Sequence, residues 1–311
     1  MEAASVGDHT GRMRVIVSPG QGSQKPGFLT PWLDDPDTRS TLARWSELIE
    51  LDLIAHGTES DAETIKDTRI AQPLIVAAGL IAGRAVQDRL SGQPAHYAGH
   101  SVGEFTAAAL AGVISDEDAL TLVARRGAAM AKAASAIPTG MAAVIGLDVE
   151  SLRQPLEDAG LFAANVNSSS QVVAAGELSA LDALKNDPPA GTRVIALEVA
   201  GAFHTHYMDS AREELERAAA DLSPTDPHSV LYTNHDGRVV ESGREYLDLL
   251  VSQMTSPVRW DRCMDAFMAA GAQEIVELAP SGALAGLAKR ALPGVTIRRI
   301  DLPTDLDEFD N

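Results

Sequence analysis

Short apolar runs rich in β-branched residues alternate with longer stretches of helical periodicity along most of the chain. The first run is Arg14–Ser18, and the glycine-containing turn Pro19–Gly22 follows it directly. Such a run predicts a buried strand that ends in a turn. The same pattern predicts strands at about 95–100, 229–233, 273–278 and 295–300, and helices at about 40–55, 71–90, 102–110, 206–222, 244–254, 258–270 and 283–291, with another helix from about 115. Strands that alternate with helices indicate a largely parallel sheet covered on both faces.

The spacing of the apolar runs shortens after Pro138. Four short strands are predicted at 141–147, 162–167, 171–176 and 193–198, and two helices at 149–159 and 178–186. Their order, β-α-β-β-α-β, is that of a ferredoxin-like unit. We therefore predict an α/β fold in which a small ferredoxin-like domain is inserted into a large α/β-hydrolase-like domain with a mostly parallel sheet. The predicted divisions are a disordered leader at 1–12, the large domain at 13–137 and 204–302, the small domain at 138–203, and an acidic tail at 303–311 that frays.

Charge and composition exclude several classes of protein. The formal net charge is −19, whereas a protein that binds nucleic acid needs clustered Lys and Arg to neutralise phosphates. The single cysteine, Cys263, rules out an intrachain disulfide and is expected to be buried in a helix. No stretch approaches the roughly 18 apolar residues of a membrane span, and residues 1–12 lack the basic start and apolar run of a signal peptide. A cytoplasmic protein with no nucleic-acid or membrane partner is expected.

A G-x-S-x-G pattern, Gly99-His-Ser-Val-Gly103, lies between a predicted strand and a predicted helix. Glycines on both sides allow a strained turn that presents the serine at a helix N-terminus, where developing negative charge is favoured. This setting predicts that Ser101 is a nucleophile, and a serine that only caps the helix is the alternative. His100 is interpreted as a spectator in the turn, and Glu104 as structural.

A serine hydroxyl needs a base to take its proton before it attacks a carbonyl carbon. His204 lies where the inserted domain rejoins the large one, and interdomain clefts commonly bind substrates. His204 is therefore the candidate base among the eight histidines, and a structural histidine is the alternative. His206, two residues further on, is expected to point elsewhere.

Arg126 shares one face of a predicted helix with apolar residues, because positions three and four apart are neighbours. A buried arginine costs free energy unless an anion meets it, and its planar fork suits a carboxylate. Arg126 is therefore a candidate carboxylate ligand, while an internal ion pair or a snorkelling side chain is the alternative. Arg125 is expected to face solvent.

The order of short motifs resembles that of the malonyl-CoA:acyl carrier protein transacylase family, which includes the acyltransferase domains of fatty-acid and polyketide synthases. Six segments carry the resemblance between about residues 14 and 300: Pro19-Gly-Gln-Gly-Ser-Gln24, Gly99-His-Ser-Val-Gly-Glu104, Arg125-Arg-Gly127, Gly140-Met-Ala-Ala143, Gly201-Ala-Phe-His204, and Gln253 ahead of Ser256-Pro-Val258. The departures are Ser18, where an aromatic residue is frequent, and Val102, where leucine is common. Neither departure touches the chemistry.

The resemblance implies that Ser101 is the nucleophile, His204 the base and Arg126 the residue that binds the malonyl carboxylate. It also implies an oxyanion hole formed by the backbone N–H groups of Gln21 and Val102.

Two further residues are assigned to the substrate site by the resemblance, Gln253 and Phe203. Gln253 would orient the His204 ring through its backbone carbonyl, so that no triad aspartate is needed. In the family's synthase domains a phenylalanine before the histidine goes with malonyl, and a smaller residue with methylmalonyl. Phe203 therefore predicts malonyl selectivity, because its ring would crowd the substrate α-carbon.

The implied activity is a ping-pong transfer of malonyl from malonyl-CoA to the pantetheine thiol of a holo acyl carrier protein, through a malonyl-serine. A monomer without a metal or redox cofactor is expected. One alternative is a serine esterase or thioesterase of α/β-hydrolase type, although the chain lacks an HGGG-type oxyanion loop. The other is a non-catalytic docking module that has kept an acyltransferase fold.

Docking of a carrier protein poses a charge problem, since carrier proteins are typically acidic and this chain is itself at −19. A local basic patch would solve it. The candidates near the last predicted helix and strand are Lys289, Arg290, Arg298 and Arg299, and merely solvated charges are the alternative.

Overall fold

The computed structural model describes residues 12–310. The predicted leader therefore lies, except for Arg12, outside the described residues. The strands are β1 (Arg14–Ser18), β2 (His96–Gly99), β3 (Thr139–Ile145), β4 (Phe162–Ser168), β5 (Gln171–Glu177), β6 (Arg193–Ala196), β7 (Val258–Arg259), β8 (Glu274–Leu278) and β9 (Thr296–Ile300). The α-helices are α1 (Pro36–Ile49), α2 (Leu53–Thr58), α3 (Thr68–Leu90), α4 (Gly103–Leu110), α5 (Asp116–Ala134), α6 (Val149–Asp158), α7 (Leu178–Asn186), α8 (Asp209–Ala219), α9 (Gly243–Ser252), α10 (Trp260–Ala269) and α11 (Ala283–Ala291).

The larger structural unit is built on a parallel sheet with the strand order β2-β1-β8-β9. Side chains alternate across a strand, so Ile16 faces one apolar cluster, which contains residues of α3, α4 and α5. Val15 and Val17 face the opposite cluster, which contains residues of α10 and α11. The prediction of a parallel sheet covered on both faces is therefore confirmed.

A second sheet has the order β6-β3-β5-β4, with antiparallel pairing throughout these four strands. The order and the two helices α6 and α7 are those of the predicted ferredoxin-like unit, whose core includes Leu152, Leu156, Leu181 and Leu184. β7 adds a fifth strand, parallel to β4, from the part of the chain that follows this unit. The second sheet thus includes a strand from beyond residue 203, the predicted end of the small domain. The exact limits of the two domains stay a prediction.

Two predicted elements are wrong in part, one beside each sheet. The predicted helix 258–270 begins only at Trp260, because Val258 and Arg259 pair with β4 and the Arg259 N–H donates to Asn234 O at 2.8 Å. The predicted strand 229–233 forms only isolated bridges, one from Leu231 to Tyr97 and one from Tyr232 to Val239. The chain turns back after Asn234, so the pairing ends before a regular strand is established.

Predicted helical stretches also differ at their ends. The single helix expected at 40–55 is divided into α1 and α2, because Glu50 takes a left-handed conformation at φ +54° and Asp52 caps a new helix. The helix expected at 206–222 starts with a 3-10 turn, His206–Met208, and α8 ends at Ala219. Further short 3-10 helices are Thr30–Trp32, Thr64–Lys66 and Gln253–Thr255.

The acidic tail does not fray as predicted, since Pro303–Asp310 forms a 3-10 helix. Leu306 is buried in the main core, and the Phe309 ring lies under the guanidinium groups of Arg14 and Arg298. Burial of these side chains offsets the cost of ordering the segment.

Helix α3 is long and apolar enough to cross a membrane, contrary to the expectation that no such stretch exists. In the structure 78% of its most apolar window is buried by the rest of the protein. It packs against α5 and α4, which is the behaviour of a core helix.

Candidate active site

Ser101 lies in the tight turn between β2 and α4, with a left-handed backbone conformation at φ +53°. A Cβ atom on Gly99 would lie 2.0 Å from the Gly103 carbonyl carbon, and one on Gly103 would lie 2.2 Å from Ser18 O. Both contacts are too short for any side chain, so only glycine fits at these two positions. The G-x-S-x-G pattern thus allows the turn to pack against the end of β1 and to present the serine at the carboxyl edge of the parallel sheet.

Asn234 holds this turn in place and was not singled out by the sequence analysis. Its Oδ1 accepts a hydrogen bond from the Ser101 N–H at 2.7 Å, and its Nδ2 donates to Gly99 O at 2.6 Å. The side chain is buried, so both contacts are shielded from water. A sequence signal did exist, because Asn234 directly follows an apolar run and polar residues at the carboxyl ends of parallel strands commonly form sites.

His204 contacts Ser101 directly, with 2.8 Å between Nε2 and the Ser101 Oγ. On the other side of the ring, Nδ1 lies 2.8 Å from the backbone oxygen of Gln253. A carbonyl oxygen can only accept, so Nδ1 carries the proton in the neutral ring and Nε2 presents its lone pair to the serine hydroxyl. The arrangement suits removal of a proton from Ser101, and the ring is oriented by a carbonyl rather than by a carboxylate.

Burial holds the His204 imidazole neutral. Loss of water around the ring, together with the positive charge of Arg126, lowers the pKa of His204 to about 3. The hydrogen bond to the Gln253 carbonyl opposes this change but does not overcome it. At neutral pH the ring is therefore available as a base.

Arg126 is a fully buried side chain on α5 whose guanidinium lies beside the Ser101 hydroxyl. Nη2 is 3.3 Å from Ser101 Oγ and 2.9 Å from Gln253 Oε1, and Nη1 is 2.8 Å from Gln72 Oε1. Nε donates to no partner in the described part of the chain. Both fixed partners are neutral amide oxygens, which leaves the positive charge free to meet an anion at Ser101.

The charge of Arg126 is retained despite this burial. Removal from water lowers the pKa of Arg126 to about 10, while the negative charge of Glu104 acts in the opposite direction. A group with this pKa stays protonated at neutral pH. Arg125, the preceding residue on the same helix, is exposed as predicted.

Gln253 touches three groups of the site but does not line the cavity. Its backbone oxygen faces His204, its side-chain oxygen accepts from Arg126, and its Nε2 donates to Ser101 O at 3.0 Å. The expected contact between its carbonyl and the histidine ring is present. The side-chain contacts were not foreseen from the sequence.

A cavity of about 360 Å³ opens over Ser101 and His204, between the two sheets. Phe203 is buried and lines this cavity beside His204. Walls from the second sheet include Met141, Asn165 and Val173. The cavity therefore places an apolar ring and a polar amide within reach of anything attached to the serine.

The backbone N–H groups of Gln21 and Val102 form no hydrogen bond within the described part of the protein. Gln21 lines the cavity, and Val102 directly follows Ser101 at the start of α4. Two amides without partners next to a nucleophile are available to an oxyanion, and this role stays a prediction. No group of three or more His, Cys, Asp or Glu residues that could hold a metal ion exists among residues 12–310.

Residues 15–296 match the family model of the acyl transferase domain. The chain is 48% identical over 301 residues to the malonyl CoA-acyl carrier protein transacylase of Mycobacterium tuberculosis, which covers 96% of this chain and 100% of that protein. The crystal structure of MCAT from Mycobacterium tuberculosis is similar with a TM-score of 0.94 at 48% identity, over 96% of this chain and 100% of that one. In a complex of a holo type II polyketide synthase acyl-carrier protein with its malonyl-transacylase, the matched chain is 30% identical with a TM-score of 0.88, over 96% of this chain and 100% of that one. Because the family model matches nearly the whole chain, this protein belongs to the acyl transferase domain family.

Proposed function

We propose that this protein transfers the malonyl group of malonyl-CoA to the phosphopantetheine thiol of an acyl carrier protein. The observation that carries the proposal is the buried, charged guanidinium of Arg126, 3.3 Å from the Ser101 hydroxyl that His204 contacts at 2.8 Å. A dicarboxylate thioester supplies both an electrophilic carbonyl for the serine and a carboxylate for the arginine. The names of the relatives, which are malonyl transacylases, support the same substrate.

In the first step the Ser101 oxygen attacks the thioester carbonyl while His204 Nε2 takes its proton. The oxyanion of the tetrahedral intermediate accepts hydrogen bonds from the Gln21 and Val102 amides. The carbon–sulfur bond then breaks, and His204 returns the proton to the sulfur of coenzyme A. The product is a malonyl ester on Ser101, with its carboxylate against Arg126.

In the second step the pantetheine thiol of the carrier attacks this ester and gives its proton to His204. Ser101 leaves as the alcohol after it receives that proton, so the enzyme returns to its starting state. Both steps use the same groups, which gives ping-pong kinetics. We propose that the enzyme works as a cytoplasmic monomer, and none of these steps calls for a metal or redox cofactor.

Phe203 supports malonyl as the acyl group rather than a branched homologue. Its ring is buried and lines the cavity beside His204, next to the space that the substrate α-carbon would occupy. A methyl branch at that carbon would have to displace the ring, and overpacking of a buried site is costly.

The proposal is tested by incubating the protein with a bacterial holo acyl carrier protein and malonyl-, methylmalonyl- or acetyl-CoA, followed by mass spectrometry of the carrier. We expect a malonyl mass on the holo carrier, little of the other two, and none on the matched apo carrier, which lacks the thiol. Release of free malonate without carrier labelling would indicate the esterase or thioesterase. The absence of both malonyl-carrier and free malonate would indicate the non-catalytic docking module.

Ion pairs on the surface reduce the four candidate residues for carrier docking to two. Arg298 contacts Glu274 and Arg299 contacts Asp301, so both of these candidates are already paired. Lys289 and Arg290 are exposed in the last turn of α11 and form no ion pair within the described part of the chain. Arg290 also lines the cavity. We therefore assign carrier docking to Lys289 and Arg290.

Lys289→Glu/Arg290→Glu should raise the KM for the holo carrier by roughly tenfold or more, because like charges would then meet at the patch. The KM for malonyl-CoA is measured in the same variant, because Arg290 also lines the cavity that the thioester enters. The matched control is Lys185→Glu/Arg217→Glu, which alters the net charge equally at two exposed positions outside the cavity. An equal rise of the carrier KM in both double variants would mean that net charge alone, and not this patch, governs docking.

A further inference from the structure

Glu104 is a buried carboxylate one helical turn after Ser101 that the proposed mechanism does not use. It is 2% exposed and does not line the cavity. Its Oε1 accepts from the Asn234 backbone N–H at 2.8 Å and from the Tyr246 hydroxyl at 3.2 Å. Its Oε2 accepts a short hydrogen bond from the Nε2 of Gln253. Both carboxylate oxygens thus accept hydrogen bonds from residues that contact the active site: Asn234, which holds the Ser101 turn, and Gln253, which contacts His204.

The side-chain amide of Gln253 connects this carboxylate to Arg126. Its Nε2 donates to Glu104 and to the Ser101 carbonyl oxygen, and its Oε1 accepts from Arg126 Nη2. If the amide were rotated by half a turn, its NH₂ group would face the guanidinium and its oxygen would face two other acceptors. Burial raises the pKa of Glu104 to about 7, while the hydrogen bonds that it accepts from Asn234, Gln253 and Tyr246 favour the ionised form. The ionised carboxylate can only accept, so it is compatible with one of the two orientations of the amide.

We infer that Glu104 is a positioning residue for substrate selection: through the Gln253 amide it holds the guanidinium of Arg126 beside the Ser101 hydroxyl. The inference rests on the proposed function, because it concerns how the malonyl carboxylate is recognised. Glu104 touches neither substrate nor reacting atoms. It acts by fixing which end of Gln253 meets Arg126.

Charge is the second reason why a carboxylate suits this position. A guanidinium without a nearby negative charge is costly to bury, and the charge of Glu104 raises the pKa of Arg126 against the larger effect of burial. The two charged groups are separated by the neutral Gln253 amide, so Glu104 does not occupy the fork of Arg126. Arg126 is fully buried and does not itself line the cavity, but its Nε has no hydrogen-bond partner in the described part of the chain, and its Nη2 lies 3.3 Å from Ser101 Oγ.

The same carboxylate also secures the turn that carries the nucleophile. It accepts from the backbone N–H of Asn234, whose side chain holds the Ser101 N–H and the Gly99 carbonyl. The backbone N–H of Asn234 and the NH₂ of Gln253 can only donate. A glutamine at position 104 has one acceptor oxygen and one NH₂ group, so one of these two donors would face another donor.

The test compares Glu104→Gln with Glu104→Asp, using the rate of Ser101 acylation by malonyl-CoA and by acetyl-CoA in the full chain. The glutamine has the same shape as the glutamate, but it replaces one acceptor oxygen with an NH₂ donor. The aspartate is shorter but keeps the charge and two acceptor oxygens. We expect the malonyl-to-acetyl ratio of kcat/KM to fall at least roughly tenfold in Glu104→Gln and to recover in part in Glu104→Asp. A role in packing alone predicts the opposite order, because the aspartate leaves a cavity.

Glu274→Gln is the matched control, since it makes the same change at another fully buried carboxylate, which pairs with Arg14 and Arg298 away from the cavity. It should keep the wild-type ratio. Circular dichroism and acylation by acetyl-CoA show whether each variant is folded. Should Glu104→Gln fail to fold, Gln253→Met removes the connecting amide while leaving the backbone carbonyl for His204, and it should lower the ratio by a similar factor.

An unchanged ratio in folded Glu104→Gln, or in Gln253→Met, would overturn the inference, as would a lower ratio in Glu104→Asp than in Glu104→Gln. Failure of the proposed function is a separate result, because it shows in the wild type as absence of malonyl transfer to the holo carrier.

Discussion

Ser101→Ala is expected to abolish the covalent malonyl-enzyme and to lower malonyl transfer by a factor on the order of 10⁴ to 10⁶. The hydroxyl is the group that lies 2.8 Å from the basic nitrogen of His204, and alanine offers nothing that can be acylated. The measurement is intact-protein and peptide mass spectrometry after rapid quenching of a mixture with malonyl-CoA and no acceptor. Wild-type protein should carry one malonyl group on the peptide that contains Ser101.

His204→Ala should retain the site of labelling but slow it by at least about a hundredfold, which is within the range of general base catalysis. Ser135→Ala is the matched control for the serine, because Ser135 is exposed at the end of α5. It should label at the wild-type rate. Label on another residue, or persistent label in Ser101→Ala, would contradict the assignment of the nucleophile.

Arg126→Ala is expected to collapse the preference for malonyl-CoA over acetyl-CoA. A hydrogen-bonded carboxylate with a charged partner contributes roughly 1.5–3 kcal/mol, or about tenfold to 150-fold in binding. Acetyl-CoA supplies no carboxylate to the arginine, so the wild-type site disfavours it by leaving the buried Nε of Arg126 without an acceptor. The variant loses both effects, and the ratio of kcat/KM for the two thioesters should fall mainly through lost malonyl transfer.

The structure indicates that Arg126→Ala will also lower stability, since Gln72 Oε1 and Gln253 Oε1 each lose their donor. Arg126→Lys should recover only part of the preference, because an ammonium group offers a point charge without the fork. Arg125→Ala is the matched control one residue away, on the exposed side of the same helix. If folded Arg126→Ala keeps the wild-type ratio, the arginine is structural and the dicarboxylate proposal loses its physical basis.

The local sequence pattern and the resemblance to the transacylase family predicted different residues of the site. The strand-turn-helix setting pointed to Ser101, since the constraint on its glycines is local and can be inferred from neighbouring residues. The apolar helix face singled out Arg126 but left its partner open, because a helix pattern shows that a charge is buried and not what meets it. The choice of His204 among eight histidines depended on the resemblance as much as on its position.

The sequence alone determined the alternation of strands and helices, the inserted four-stranded unit and the turn that carries Ser101, because each follows from neighbouring residues and their periodicity. Tertiary structure alone decided the contacts of Asn234 and Glu104, which lie 130 residues apart and meet at 2.8 Å. It also decided that Val258 joins the second sheet and that the acidic tail packs on the core. Buried polar groups are satisfied by whichever partners the packed chain brings within hydrogen-bond distance, and such pairings leave no periodic signal along the chain.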